Sequence, residues 1–536
     1  MLSEDGLPGA LKRLAYSSGR VMIEIWPAYA LGSVLILVGF KWGLPNGRLV
    51  PLSWQADENA ARYATSAISF PFFHASWLPW GTALFYQVYV LKTIVSLGGL
   101  LYVGDRGILV LGRFMVYASA LGAITALYLL GRSLFDVWTG RAAALLLAVM
   151  PGFVITAHYF KVEVAMSFWL VLTLLATFKM RRTGTIRDVA IVGLLTGYTA
   201  STQYSGGLVL APVVTALIQA KPVGMRRALA ILGGTVVAGF LFGTPYALLT
   251  PRAFYSGLRM DTLINHQGMA YTPARPPALI DYALNVAPYS ITVPILIVAA
   301  FGLVVALVRE RARLLPLWAM LAVYAVLLSA DNSRIVRATT PVLPIVALLA
   351  AYGLAKLRGL RWMRIPSLGV LALVTCYAFL FSLAYVQAFA SVDPRIQASQ
   401  WIERRIPAGT RIAISTTHYL DVPQLANFGY STVELRGSAA RLNAVRPRYL
   451  VLSDMSLLPA SQALTYNPAT SAFLSVIRSN YCELARFENS QRLWWINTKP
   501  RDGSLSFDWL YPNPRITILE RRDGSTGCRR LDAYQS

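Results

Sequence analysis

Long apolar runs, separated by short polar or basic stretches, set the rhythm of this chain. They lie at 21–40, 108–130, 142–157, 163–178, 189–202, 206–219, 228–248, 283–308, 315–330, 342–355 and 368–390. At ~20 residues per crossing, and allowing for short or fused runs, the pattern predicts about 11 membrane-spanning helices. The first run follows Lys12, Arg13 and Arg20. It is longer than the apolar part of a signal peptide and has no convincing cleavage site behind it, so it reads as a retained span with a cytoplasmic N-terminus. Beyond residue 390 the pattern shortens. DPRIQASQWIERRIPAGTRIAIST predicts a helix, a Pro/Gly turn and a strand, while RYLVLSD, RLWWIN and ITILERR predict further strands. The expected fold class is a polytopic all-α membrane protein over residues 1–390, with a small extracytoplasmic α/β domain over 391–536.

Two segments between the first spans break the rhythm. Residues 54–73, WQADENAARYATSAISFPFF, wind as a helix that puts Glu58, Arg62, Thr65, Ser66 and Ser69 on one face and Ala60, Ala64, Ala67 and Ile68 largely on the other. Such a helix lies on a membrane rather than crossing it, and its acidic pair, Asp57 and Glu58, follows the first crossing directly. Asp57 is the candidate reacting group. The plainer reading is a helix N-cap at Asp57, with Glu58 favoured in the first turn by the helix dipole. The second segment, 80–103, is apolar but carries Lys92, which costs about 2.5–3.5 kcal/mol at mid-bilayer. The basic clusters around Arg132 and Arg181 must both face inward, which leaves no crossing for 80–103. It is expected to be a second juxtamembrane helix.

Composition excludes a soluble enzyme: 56% of the 536 residues are hydrophobic and 14% charged, with a mean hydropathy of +0.51, more apolar surface than a globular core can bury. The net charge of +24 does not indicate nucleic acid, because the basic residues sit in short clusters between apolar runs rather than in a stripe. They mark topology, with the bilayer as the first partner and the cell membrane as the location. Cys482 and Cys528 fall in the outer domain, where pairing is chemically open to them. Cys376 falls in a span and is expected to pack in the core.

On the outer side this topology collects Asp57, Glu58, His74, Arg113, His158, Lys161, Glu163, His266, Asp331, Arg334 and Arg337. Ionisable groups at span ends are costly and tend to be paired or functional. The plain alternatives are that Lys161 snorkels and that Asp331 pairs with Arg334 and Arg337, and the histidines are too scattered to form a zinc site. Taken together, carboxylates and cations on one face suit a phosphate leaving group and an activated hydroxyl.

The order of these features resembles the GT-C superfamily of integral membrane glycosyltransferases, of the protein O-mannosyltransferase and aminoarabinose-transferase (family 39-like) type. ADE at 56–58 matches the family's acidic pair in the first external loop, and HASWLPWGTALFYQ at 74–87 is similar to its His-Pro-Pro segment. The stretches 112–135 and 142–174 resemble its next spans, with the second external acid at Glu163. GLLTGYTASTQYSGGLVLAPVV, FGTPYALLTPRAF and SRIVRATTPVLPIVALLAAYGL carry the similarity to residue 354. Ala56 stands where the family has Pro, and Glu163 where Asp is common, so the motifs indicate the superfamily and not the sugar.

The resemblance implies a GT-C fold and a hexosyl- or pentosyltransferase fed by a polyprenyl-phosphate sugar, since nucleotide sugars are cytoplasmic and the polar face is not. Phosphate leaves without protonation, so the reaction needs cations at the phosphate and one base for the acceptor proton. That casts Asp57 as base beside Glu58, with Arg113, Lys161, Arg334 and Arg337 on the phosphate and inversion at the anomeric carbon. His158, Glu163 and His266 are left for the acceptor, a glycan, lipid or protein. Some superfamily members use a divalent metal, for which Asp57 and Glu163 are the candidates. The rival classes are a transporter or flippase of lipid-linked glycans and an inactive relative acting as a scaffold.

Overall fold

The computed structural model describes residues 19, 21–69, 72–97, 102–222, 224–267, 277–415, 421–455, 468–499 and 507–522. Each predicted apolar run is a helix or a short series of helices. The first is Trp26–Leu37, Asp105–Leu134 follows, and Val137–Val149 restarts after Met150 as the short Pro151–Thr156. Next come Val162–Thr183, Ile186–Thr202, Leu210–Ala220 and Met225–Gly243, and then Val293–Arg309, Leu315–Ala330, Leu343–Arg358 and Arg364–Ala390. Among the described residues, four helical stretches are long and apolar enough to cross a membrane: Asp105–Leu134, Val162–Thr183, Met225–Gly243 and Arg361–Arg405. Other apolar helices are shorter, so helix length alone does not return the eleven crossings.

The two interrupting segments form Ala56–Ala67 and Ala83–Leu97. The polar stretch between the apolar runs 228–248 and 283–308 contains the helix Pro251–Gln267. Phe254 accounts for this: its ring lies 5.5 Å from that of Tyr204 and 6.1 Å from that of Phe240, giving the segment an apolar seat. Cys376 is exposed on its helix rather than packed in the core.

The basic clusters gather at one end of the helix bundle, as the charge pattern requires. Arg181 donates to the carbonyl of Arg313, and Arg313 to that of Leu134. Arg358 lies 5.2 Å above the Trp138 ring, and Lys356 is 3.8 Å from Glu310. Helices in an apolar solvent associate through close backbone contact at small residues, and Gly302 meets Gly353 in this way between Val293–Arg309 and Leu343–Arg358. A Cβ on Gly302 would stand 1.9 Å from the carbonyl oxygen of Leu349.

After Ala390 a short break leads to the helix Pro394–Arg405 and, among the described residues, to seven strands. These are β1 (Arg411–Ile414), β2 (Ser431–Glu434), β3 (Tyr449–Ser453), β4 (Tyr481–Phe487), β5 (Arg492–Leu493), β6 (Ile496–Asn497) and β7 (Ile516–Arg521). Five form one sheet in the order β2-β1-β3-β7-β4, parallel across β2, β1 and β3 and antiparallel around β7. Strand alternation sends Ile412, Tyr449, Val451 and Ile518 to one face, against Ala398 and Ile402 of Pro394–Arg405. Ala413, Leu450, Leu452 and Leu519 go to the other, against Phe473 and Ile477 of the helix Pro468–Asn480. RLWWIN, expected as one strand, is the two-residue hairpin β5–β6 with Trp494 and Trp495 at its turn. Cys482 of β4 is disulfide-bonded, and Cys528 lies outside the described residues.

Gly302→Val is expected to force the two helices apart, an overpacking cost of about 1–3 kcal/mol or more. It should lower the temperature at which the detergent-solubilised protein loses its monodisperse peak, whereas Gly369→Ala, which meets nothing within 4 Å, should not.

Candidate active site

The helix Ala56–Ala67 is capped by Gln55, whose side chain accepts the Glu58 backbone N–H at 2.9 Å. Asp57 is therefore not the N-cap, and its carboxylate is available for other contacts. Successive residues on a helix point about 100° apart, and the two acids separate accordingly. Glu58, Ala61, Ala64 and Thr65 are buried, so the face carrying Glu58 looks into the protein and not outward.

Glu58 is wholly buried against Arg113 of Asp105–Leu134 in a two-pronged pair of 2.8 and 2.7 Å. The Ser53 hydroxyl and the Phe160 backbone N–H also donate to it, at 2.6 and 2.7 Å. Arg113 spends its remaining nitrogen on the carbonyls of Phe40 and Trp42, at 2.6 and 2.8 Å. Both groups thus turn inward, whereas the sequence had set Glu58 beside the catalytic base and Arg113 on a phosphate.

Asp57 remains about a quarter exposed. Its Oδ2 takes Lys161 Nζ at 2.5 Å and Arg337 Nη2 at 3.1 Å. Glu163, in the first turn of Val162–Thr183, approaches the same cations from behind, with Oε1 3.4 Å from Lys161 Nζ and 3.3 Å from Arg337 Nε. Lys161 is buried, 5.2 Å over the Trp80 ring. Burial works against charge on Asp57, but Lys161 and then Arg337 outweigh it and hold its pKa well below the usual carboxylate range. Glu163 Oε2 and Arg337 Nη1 are buried with no hydrogen-bond partner among the described residues.

The other candidates lie apart from this quartet. Arg334 pairs with Asp281 at 2.8 Å and not with Asp331, whose carboxylate takes Ser333 and the Tyr282 hydroxyl. His158 sits with its two ring nitrogens 2.9 and 3.0 Å from the carbonyl oxygens of Val154 and Val38, its ring stacked 4.1 Å from that of Phe389. Burial lowers its pKa to about 4 against the pull of those carbonyls, so it ties two segments together rather than facing an acceptor. The His266 side chain lies outside the described residues.

Residues 508–511, which no local pattern in the sequence marked, form a strap beside the quartet. Asp508 Oδ2 accepts the Arg337 backbone N–H at 3.2 Å. With Trp509, Tyr511, Gln55 and Tyr159 it borders a small cleft beside Arg337. The Tyr159 hydroxyl is buried there without a partner among the described residues. The cleft's free volume of about 20 Å³ admits a water or a hydroxyl, and a larger group only with displacement of its walls. The strap is held from below: Tyr385 donates to the Trp509 carbonyl at 2.7 Å, and Arg395 to that of Tyr511 at 2.8 Å.

The quartet does not fit a resident divalent cation. Lys161 and Arg337 already stand where a metal bridging Asp57 and Glu163 would be, and no cluster of three or more potential ligands occurs among the described residues.

Known proteins share part of this sequence and much of this fold. Residues 101–246 match the family model for dolichyl-phosphate-mannose-protein mannosyltransferase. Among solved structures, ArnT from Cupriavidus metallidurans bound to undecaprenyl phosphate is similar at a TM-score of 0.51 and 11% identity, over 96% of this chain and 100% of that one. The Archaeoglobus fulgidus oligosaccharyltransferase tethered to an acceptor peptide gives 0.52 and 14%, over 91% and 77%. A comparison with curated sequences finds no match. The family model matches residues 101–246, and the two solved structures show a likeness of fold over most of the chain. The chain is thus similar to mannosyltransferases over that stretch and to ArnT in fold, the direction in which its motifs pointed.

Arg113→Ala leaves Glu58 buried without its counter-charge, a loss of about 3–5 kcal/mol, and should abolish recovery of folded protein from the membrane. Asp508→Ala is expected to leave folding intact while loosening Arg337. Any residual activity should then show an acid limb at higher pH, because Asp57 loses part of the field that holds its pKa down.

Proposed function

We propose that this protein moves a sugar from a polyprenyl-phosphate donor to a hydroxyl or amine acceptor, on the extracytoplasmic side and with inversion. The observation that carries this reading is the shared Oδ2 of Asp57, partly exposed and held between Lys161 and Arg337 with Glu163 behind. A donor phosphate has the charge and shape to replace Asp57 as the partner of these cations. The ArnT structure of the same fold holds undecaprenyl phosphate, a lipid of the proposed donor class.

In the proposed step the acceptor O–H or N–H bond breaks as Asp57 takes the proton. The freed electron pair forms the bond to the anomeric carbon from the face opposite the phosphate. The bond from that carbon to the phosphate oxygen breaks, and polyprenyl phosphate leaves with the electron pair. Lys161 and Arg337 stabilise the growing charge on the departing oxygen, and their worth rises as lipid and protein exclude water. Glu163 is the counter-charge that keeps both cations in place, while Glu58 and Arg113 fix the helix that carries the base. The sheet after residue 390 is assigned to the same outer side, with its 508–511 strap as one wall of the site.

The depressed pKa of Asp57 bears on this mechanism. A carboxylate so well paired is a weak base. Donor phosphate draws Lys161 and Arg337 toward itself, and the basicity of Asp57 climbs in the complex that needs it. Charge relief on donor binding thus gives the reaction its order, donor before acceptor.

Asp57→Asn is expected to cut transfer from a polyprenyl-phosphate sugar by about 10²–10⁴-fold with donor binding retained, measured in proteoliposomes by radiolabel release. Unchanged transfer would remove Asp57 as the base, and no transfer with any donor by the wild type would favour a transporter or scaffold. Asp57 acts only when ionised, so activity falls as pH drops through its pKa. The acid limb of kcat should therefore lie at higher pH than that of kcat/KM, since the first reports the donor complex and the second the free enzyme.

A further inference from the structure

The β5–β6 hairpin has a turn that folding alone does not explain. Its strands pair Arg492 with Asn497 and Leu493 with Ile496, leaving a two-residue turn of Trp494 and Trp495. Such turns favour Asn, Asp and Gly because they need a positive φ. Here Trp494 adopts φ +51, a conformation that is unfavourable for a bulky side chain. The two indoles stack at 5.7 Å and are 66% and 74% exposed. Two large aromatic rings held out of the protein in a strained turn call for something to cover them.

The hairpin's height on the molecule says what that is. Ile496 is buried and Leu493 packs beside it against the core of the helix bundle. The Trp509 indole N–H donates to the carbonyl of Thr498, just after the hairpin, at 3.0 Å. The Trp509 ring lies 4.3 Å from that of Tyr385, five residues before the end of the Arg364–Ala390 helix. At 1.5 Å per residue, this contact is about 7–8 Å below the helix end. The hairpin is therefore pinned alongside the last turns of a helix apolar enough to cross a membrane, at the level where such a helix passes through the headgroup region. Tryptophan favours that region because its ring is apolar and its N–H is not. Arg492, exposed on the same hairpin and bonded through Nε to the Trp494 carbonyl at 3.0 Å, adds a cation suited to lipid phosphate. Val392, 57% exposed, extends the apolar surface at the hairpin's base, where Asn489 donates to its carbonyl at 2.9 Å.

We propose that Trp494 and Trp495 are a bilayer anchor, inserted in the interface of the leaflet on the Asp57 side. The anchor fixes the depth of the adjoining 508–511 strap, and with it the wall of the cleft beside Arg337. Its occupant is the lipid surface and not a second protein, because the rings stand beside the last turns of the Arg364–Ala390 helix, at headgroup depth, with the cation of Arg492 on the same hairpin.

The test uses the full chain with Cys376→Ser as background, carrying Trp495→Cys or, as an aqueous control, Arg441→Cys, each labelled with an environment-sensitive nitrobenzoxadiazole and checked for monodisperse elution. In vesicles of phosphatidylcholine and phosphatidylglycerol, the label at 495 should emit to the blue of that at 441. It should also be quenched by lipids doxylated near the headgroup and resist aqueous iodide. Quenching of the 495 label by iodide and not by lipid would overturn the proposal in favour of a water-facing turn. Resistance to both quenchers would overturn it in favour of a protein covering.

Discussion

Glu58 is a charge with no route to water, and this end of the molecule is arranged around that fact. An isolated buried carboxylate is so unfavourable that it must meet a cation and further donors, and here Arg113, Ser53 and the Phe160 amide meet it together. These contacts join the 53–67 region, the Asp105–Leu134 helix and the 157–161 turn, while Arg113 adds the carbonyls just after the first helix. The rotation of Ala56–Ala67 is thereby set. With it comes the direction of Asp57, one residue earlier and about 100° around the helix. The same turn that gives Phe160 to Glu58 presents Lys161 to Asp57, so the ion pair that holds the structure and the one assigned to chemistry are built from neighbouring residues.

Two acids and two cations make the second cluster, and its near-neutrality explains how it persists beside a low-dielectric interior. Asp57 alone would resist burial, as would Arg337; interleaved, each offsets the desolvation of the other. The cluster still has unused capacity, since Glu163 Oε2, Arg337 Nη1 and the Tyr159 hydroxyl lack partners among the described residues. Buried polar atoms without partners are rare, and those of Arg337 and Tyr159 border one cleft, as suits a site that receives a polar ligand.

The part of the chain after residue 390 is joined to this site by more than contact. Arg395 pairs with Asp393 at 2.6 Å, lies 4.1 Å over the Trp54 ring and donates to the Tyr511 carbonyl. The Trp42 indole reaches Asp393 at 3.2 Å. A further buried ion pair, wrapped in tryptophan, therefore ties the C-terminal sheet to segments that precede the acidic helix. Asp508 completes the link by holding the Arg337 backbone.

Apolar periodicity by itself determined the helices, because a bilayer rewards only long runs that satisfy their own backbone. Charge asymmetry determined which helix ends meet, and strand alternation placed β1, β3 and β7. The motif ADE marked the acidic pair Asp57 and Glu58, and the 158–163 connection and the arginines near 337 were legible as polar groups where polarity is costly. Which of them touch was not legible. Glu58 and Asp57 are equivalent in sequence and differ only through the rotation of a helix that the buried pair with Arg113 sets. Arg334 and Arg337 stand three residues apart, yet one turns to Asp281 and the other to Asp57. Asp508, Tyr511 and the exposed turn at Trp494 carry no local signal, because their meaning comes from the wall they stand against. The choice of partner depends on distances across the fold, and only the tertiary structure could decide it.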